Sequence, residues 1–245
     1  MLWSQSDLVK ATAGDLIGDW RNDGIAGVSI DSRSIKSDEL FVAVKAKRDG
    51  HNFINDAIRL GAKGALVDHI PADISSNTPL LLVPSVQEAL ENLGKYRRER
   101  SQAKVVAITG SVGKTSSKNM LKTILELQGK THASPASFNN YLGVPLTLAN
   151  LPIDATYAVV EIGMNKPGEI EPLARMTAAD VVLITAIGKA HLEAFGDIAG
   201  IAHEKAQIVK GLNSKGIAVL NADTPGYEIL KKQTIKNGSQ FISFG

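Results

Sequence analysis

Apolar residues fall in short runs along this chain, separated by stretches in which apolar and polar positions recur with helical spacing. In the amino-terminal part, the runs Val28 to Ile30, Leu40 to Val44, Ala65 to Val67 and Leu80 to Val83 predict strands. The spacing predicts helices over residues 52–62 and 85–100, the second opening with Ser85 and Glu88 in capping-box positions. After the polar stretch Ser101-Gln102-Ala103 the units lengthen to strand 104–108, helix 114–128, strands 156–162 and 181–185, helix 198–212 and strand 216–220. The segment Phe241-Ile-Ser-Phe-Gly245 reads as one more strand. Strands alternating with helices predict an α/β fold: a small amino-terminal α/β domain over residues 1–101, then a mostly parallel sheet with helices on both faces over residues 102–245. Ligands of such sheets sit beyond the carboxyl ends of the strands.

The strand at 104–108 runs through Thr109-Gly-Ser-Val-Gly-Lys-Thr115 into a helix, and this is the pattern of a nucleotide phosphate cradle. Gly110 and Gly113 allow backbone N–H groups, including those of Ser111, Val112 and Ser116, to converge on phosphate oxygens, and the helix aims its positive end at them. Lys114 supplies a point charge, and the Thr115 hydroxyl is suited to Mg²⁺. A strict P-loop carries glycine five residues before Gly113, where Ile108 stands. The motif therefore predicts triphosphate binding without an ordinary GTPase or kinase.

Three further segments follow directly on strands. Tyr157-Ala-Val-Val-Glu161 ends on a carboxylate that can hold the same metal as Thr115 or simply occupy a polar strand end. The next strand leads to His191 and Glu193, and on spacing alone His191 reads as an ordinary polar loop residue. Asn221 and Asp223 suit a base or ribose and suit a turn equally well.

Composition narrows the class. The chain has 245 residues, 44% hydrophobic and 21% charged, enough for one large or two medium domains with a core. A net charge of +2 gives no reason to expect nucleic acid, and the absence of cysteine excludes disulfides and thiolate metal sites. The start lacks a basic and apolar leader and no run is long enough to span a bilayer, so the expectation is a cytoplasmic protein without membrane insertion.

Taken in order, these segments resemble the Mur ligase family. Thr109 to Thr115 looks like its ATP loop, Phe138-Asn-Asn-Tyr-Leu-Gly-Val-Pro-Leu-Thr-Leu148 like its substrate segment, and Glu161-Ile-Gly-Met-Asn-Lys-Pro-Gly-Glu-Ile170 like its metal strand. Ala190-His-Leu-Glu-Ala-Phe-Gly196 and Asn221-Ala-Asp223 continue the match. Asp31-Ser-Arg33, Leu40 to Val44 and Asp49-Gly-His-Asn-Phe53 look like the uridine-binding domain of members acting on UDP-linked peptides. The Asn139-Asn140 and Glu161-Ile-Gly-Met-Asn pieces favour the branch that joins D-alanyl-D-alanine to UDP-N-acetylmuramoyl-tripeptide. The likeness covers essentially the whole chain.

The resemblance implies ATP-dependent amide formation: the peptide carboxylate is phosphorylated, and the dipeptide amine attacks the acyl phosphate, in the synthesis of peptidoglycan precursors. It implies that Ser32, Arg33, Asn139 and Asn140 meet the UDP-peptide, that Asn221 joins the nucleotide site, and that Lys114, His191 and Lys205 act in catalysis. It also implies Mg²⁺ on Thr115, Glu161 and His191, with Lys205 at the position where members carry a carbamylated, metal-bridging lysine; the same residue reads otherwise as an exposed helical lysine. Family members continue into a third domain that presents the amine, so the expectation is a partial chain that holds nucleotide without turning over and is prone to self-association, with a family-like monomer only at full length. Two other readings are a folylpolyglutamate- or cyanophycin-type ligase and a non-catalytic nucleotide module. Asp31-Ser-Arg33 speaks against the first, and the set Lys114, Thr115, Glu161 and His191 against the second.

Overall fold

The computed structural model describes residues 1–245 apart from Asn22, Asp23 and His191. The chain divides into two compact units, Met1–Arg97 and Arg98–Gly245.

The first unit contains α1 (Gln5–Thr12), β1 (Asp15–Ile17), β2 (Gly27–Ser29), β3 (Glu39–Val42), α2 (Ile54–Arg59), β4 (Gly64–Val67) and β5 (Leu80–Leu82), and it leads into α3 (Val86–Arg100). Its sheet runs β1-β5-β4-β3-β2, with β1 antiparallel to β5 and the other pairs parallel. Every residue of β4 is buried, which is why that strand appears in the sequence as an unbroken apolar run. Phe41, Ile54, Ala57, Val67 and Leu80 form the core against it. The helix expected over 52–62 is instead a 3-10 turn at Gly50–Phe53 followed by α2, because Asp49 caps the turn through the His51 N–H.

The second unit contains β6 (Lys104–Thr109), α4 (Lys114–Glu126), β7 (Thr131–Ala133), α5 (Gly143–Ala149), β8 (Tyr157–Glu161), α6 (Ile170–Thr177), β9 (Ala179–Ile184), α7 (Leu192–Phe195), α8 (Ile198–Ala206), β10 (Leu212–Asn221), α9 (Tyr227–Lys236) and β11 (Gln240–Phe244). Its six strands are all parallel, in the order β11-β10-β9-β6-β8-β7. The first strand, β6, thus lies between β8 and β9, and Ile108 pairs with Glu161 while Thr109 pairs with Ile184. The loops leaving these three strands meet at one end of the sheet, the switch point at which such folds bind ligands. Val105, Ala107, Val160, Val182, Ile201 and Leu220 fill the core beneath.

The helix expected over 198–212 ends at Ala206 and tightens to a 3-10 segment over Gln207–Gly211. All residues of α5 are buried, so it shows no polar face and no amphipathic period by which sequence could reveal it.

Candidate active site

The loop from β6 to α4 is held from beneath by the loop after β9. Ser111 N–H donates to the Ala186 carbonyl at 2.7 Å, and the Thr185 hydroxyl donates to the Val112 carbonyl at 2.6 Å. A side chain at Gly110 would run into the Thr185 hydroxyl, so close approach requires glycine there. Gly113, at φ 86°, starts α4 in a left-handed conformation and offers no side chain to cap it. The first N–H groups of a thirteen-residue helix are therefore left for an anion. Lys114 folds back so that its ammonium donates to the Gly110 carbonyl at 2.8 Å. Burial lowers the Lys114 pKa, opposed by the charge of Glu161.

Glu161, at the end of β8, is 1% exposed and fully engaged. One carboxylate oxygen, Oε2, accepts from the Thr115 hydroxyl at 2.9 Å, and Oε1 accepts from the Asn139 amide at 2.8 Å. Its own N–H donates to the Ser134 hydroxyl at 3.1 Å. The Asn139 carbonyl accepts from Gly163 N–H at 2.7 Å, tying the segment before α5 to the end of β8. Asn140 turns its side-chain oxygen to the N–H groups of Leu142 and Gly143, at 3.1 and 2.9 Å. Sequence reasoning did not mark Lys118, whose buried ammonium donates to the Ser134 carbonyl at 2.9 Å and to the Ala136 carbonyl. The available signal was its place one helical turn after Lys114 on the same helix.

These groups border a cleft of about 130 Å³ lined by Gly110, Ser111, Lys114, Asn139, Asn140 and Lys205, among others. Lys205, expected either to bridge metal or to lie exposed, is 2% exposed and reaches this cleft from α8. Burial first, then repulsion from Lys114, brings its pKa down to about 7 against the opposing pull of Glu204. The adjacent Glu204 carboxylate accepts from Gly168 and Ile170 N–H at 2.9 and 3.0 Å, which fixes the rotation of α8.

The carboxylate of Glu161 and the hydroxyl of Thr115 are hard oxygen donors already within hydrogen-bonding distance of each other, a set that fits Mg²⁺. His191 lies outside the described residues. Ser116 and Val112 are exposed beside the loop. Asn221, at the end of β10, uses its side-chain oxygen to accept from Asp223 N–H at 2.9 Å, an Asx turn.

In the first unit, Ser32 and Arg33 form a short 3-10 turn capped by Asp31. The Arg33 guanidinium grips Asp31 through two bonds of 2.9 and 2.7 Å while its side chain stays 80% exposed. Those hydrogen bonds hold the Asp31 carboxyl below its usual range. Among the described residues, the group of acids and histidines spaced to share a metal is His51, Asp68 and His69. Its atoms are occupied: Asp49 takes His51 Nδ1 at 2.6 Å, Asp68 N–H points at Nε2, and Lys45 sits 3.0 Å from Asp68. This cluster ties a turn together.

Comparison with known proteins agrees with the geometry. The family model described as Mur ligase middle domain matches residues 108–245, and that described as Mur ligase family, catalytic domain, matches residues 24–101. The chain belongs to the Mur ligase family. A UDP-N-acetylmuramoyl-tripeptide--D-alanyl-D-alanine ligase of Rickettsia prowazekii is 40% identical over 222 residues, 89% of this Mur ligase chain and 49% of the relative. MurF from Acinetobacter baumannii superposes with a TM-score of 0.87 at 34% identity, covering 99% of this chain and 53% of that one. MurF from Thermotoga maritima, solved in complex with ADP, gives 0.74 at 29% identity, over 89% and 50%. This Mur ligase chain spans about half the length of the curated relatives it matches. No helix among the described residues is long and apolar enough to cross a membrane.

Proposed function

We propose that this chain carries the nucleotide site and part of the substrate site of an ATP-dependent ligase that joins D-alanyl-D-alanine to UDP-N-acetylmuramoyl-tripeptide. The observation that carries the reading is the Thr115–Glu161 pair, 2.9 Å apart, at the mouth of a glycine loop that also holds Lys114. The name of the relative in Rickettsia supports the substrate pair.

In this reading residues 102–245 bind ATP and residues 1–101 bind the UDP end of the peptide. Gly110 to Ser116 cradle the phosphates, and Lys114 leaves the Gly110 carbonyl to meet them. Thr115 and Glu161 hold Mg²⁺, which when bound neutralises phosphate charge. Asn139 and Asn140, on the segment beside Glu161, orient the peptide carboxylate toward the terminal phosphate. Carboxylate oxygen attacks phosphorus, ADP leaves, and the resulting acyl phosphate gives the amine a leaving group to displace. Phosphoryl transfer between anions needs chiefly positioning and charge neutralisation, which lysines in a small polar cleft provide.

Lys205 in this scheme is carbamylated. With a pKa near 7 a substantial fraction of its amine is uncharged at neutral pH and can attack CO2, forming an N–C bond and releasing a proton. Labelled bicarbonate should give a protein-bound carbamate signal by carbon NMR that is absent in Lys205→Ala. Phosphate release requiring both UDP-tripeptide and D-alanyl-D-alanine, measured on a protein spanning the full length of the relatives, tests the reaction. Release that ignores either substrate would overturn it.

A further inference from the structure

We propose that Lys118 is a built-in counter-cation that closes the Glu161 site to free divalent metal, so that metal enters only together with a polyphosphate. The inference rests on the reading of Thr115 and Glu161 as the metal pair.

The Lys118 ammonium lies 3.9 Å from Glu161 Oε2, the same oxygen that accepts the Thr115 hydroxyl. The other carboxylate oxygen is taken by Asn139, so Oε2 is the one a metal shared with Thr115 would use. Lys118 cannot readily swing aside. Two of its three N–H groups are spent on the Ser134 and Ala136 carbonyls, and the side chain is 3% exposed. The segment that supplies those carbonyls is itself fixed, by the Ser134 hydroxyl on Glu161 N–H and by Ala136 at φ 45°, an unusual conformation for a residue with a side chain.

Charge around the carboxylate points the same way. Lys114 lines the cleft and Lys118 stands behind it, two cations about the Glu161 carboxylate, while Glu204 is committed to the N–H groups of Gly168 and Ile170. A divalent cation arriving alone enters a site whose carboxylate is already neutralised. A polyphosphate brings several negative charges to Lys114 and the α4 N-terminus and reverses that balance. Burying an ammonium beside a carboxylate without direct contact stabilises a fold little compared with an apolar side chain of similar size. Its value lies in the field it sets.

The experiment is Mn²⁺ binding followed by electron paramagnetic resonance, with adenylyl imidodiphosphate as the nucleotide. The unmodified chain should take up Mn²⁺ with the nucleotide and at least tenfold more weakly without it. Lys118→Gln keeps donors for the two carbonyls and removes the charge, so it should gain nucleotide-independent Mn²⁺ binding by tenfold or more. Lys118→Arg should restore exclusion, and Lys118→Gln with Glu161→Gln should abolish the gain. A purely structural crosslink predicts lower thermal stability of Lys118→Gln with no gain, which would overturn the proposal. Should Lys118→Gln fail to fold, the unmodified chain decides: equal Mn²⁺ affinity with and without nucleotide overturns it. Uptake with nucleotide but no change in Lys118→Gln removes only the role of Lys118. Absence of uptake in every state removes the metal reading of Glu161 as well.

Discussion

An amine with a pKa near 7 in the folded chain and an ordinary value when unfolded makes Lys205 a source of pH-dependent stability. Below about pH 7 both states hold the proton and the burial penalty is felt in full. Between about 7 and 10.5 the unfolded chain binds one more proton than the folded one, so stability rises with pH, by a few kcal/mol in order of magnitude. Lys205→Met should therefore be more stable than the parent at about pH 6, with the difference shrinking by about pH 10. Urea denaturation in CO2-free buffer at both values checks this, and a constant difference would contradict it. Lys114 behaves differently, since its charge serves a ligand more than packing. Lys114→Ala should lower ATP affinity about tenfold or more while changing stability by no more than about 1 kcal/mol, measured by calorimetric titration and thermal melting. Lys114 and Thr115 were legible because the glycines and the helix start that place them are local in sequence. Lys118 was not, because the carbonyls that explain it come from residues 134 and 136, on a segment brought near only by folding.

At the scale of elements, the cradle depends on two loops fitting without a spare methyl group. Gly110→Ala would drive a Cβ into Thr185 Oγ1 and should destabilise by about 1–3 kcal/mol, with nucleotide affinity falling in parallel. Adding Thr185→Ala removes the obstacle, so the double variant should lose less than the two single losses combined, as equilibrium unfolding of all three would reveal. Equal additivity would mean the loops are not in contact through these groups. The strands bearing the site were readable from apolar runs, β6, β8 and β9 to within a few residues. The three-residue β7 and the wholly buried α5 were not, the first for brevity and the second for want of a polar face. β10 begins four residues before the expected strand, at Leu212, across an irregularity in its pairing with β9 that polar Asn213 to Lys215 conceals.

The whole chain consists of two units with their own sheets, and the proposed ligands divide between them. Arg33→Ala should weaken binding of a UDP-linked peptide and leave ATP affinity unchanged, since Arg33 and Lys114 belong to different units; titration of one variant with both ligands checks it. Equal losses for both would contradict two separate sites. The place of β6 has a consequence in the order of synthesis. The chain makes Gly110 to Thr115 first, yet the strands that flank β6 are β8, which leads into one wall of the cleft, and β9, whose following loop supports the glycine loop, and Lys205 comes later still. A nascent chain that has only the glycine loop has no acidic partner at Thr115 and no floor beneath Gly110. Nucleotide recognition is therefore acquired late, when the last wall is translated and docked, and a chain stalled before that point would not sequester ATP in a half-built site.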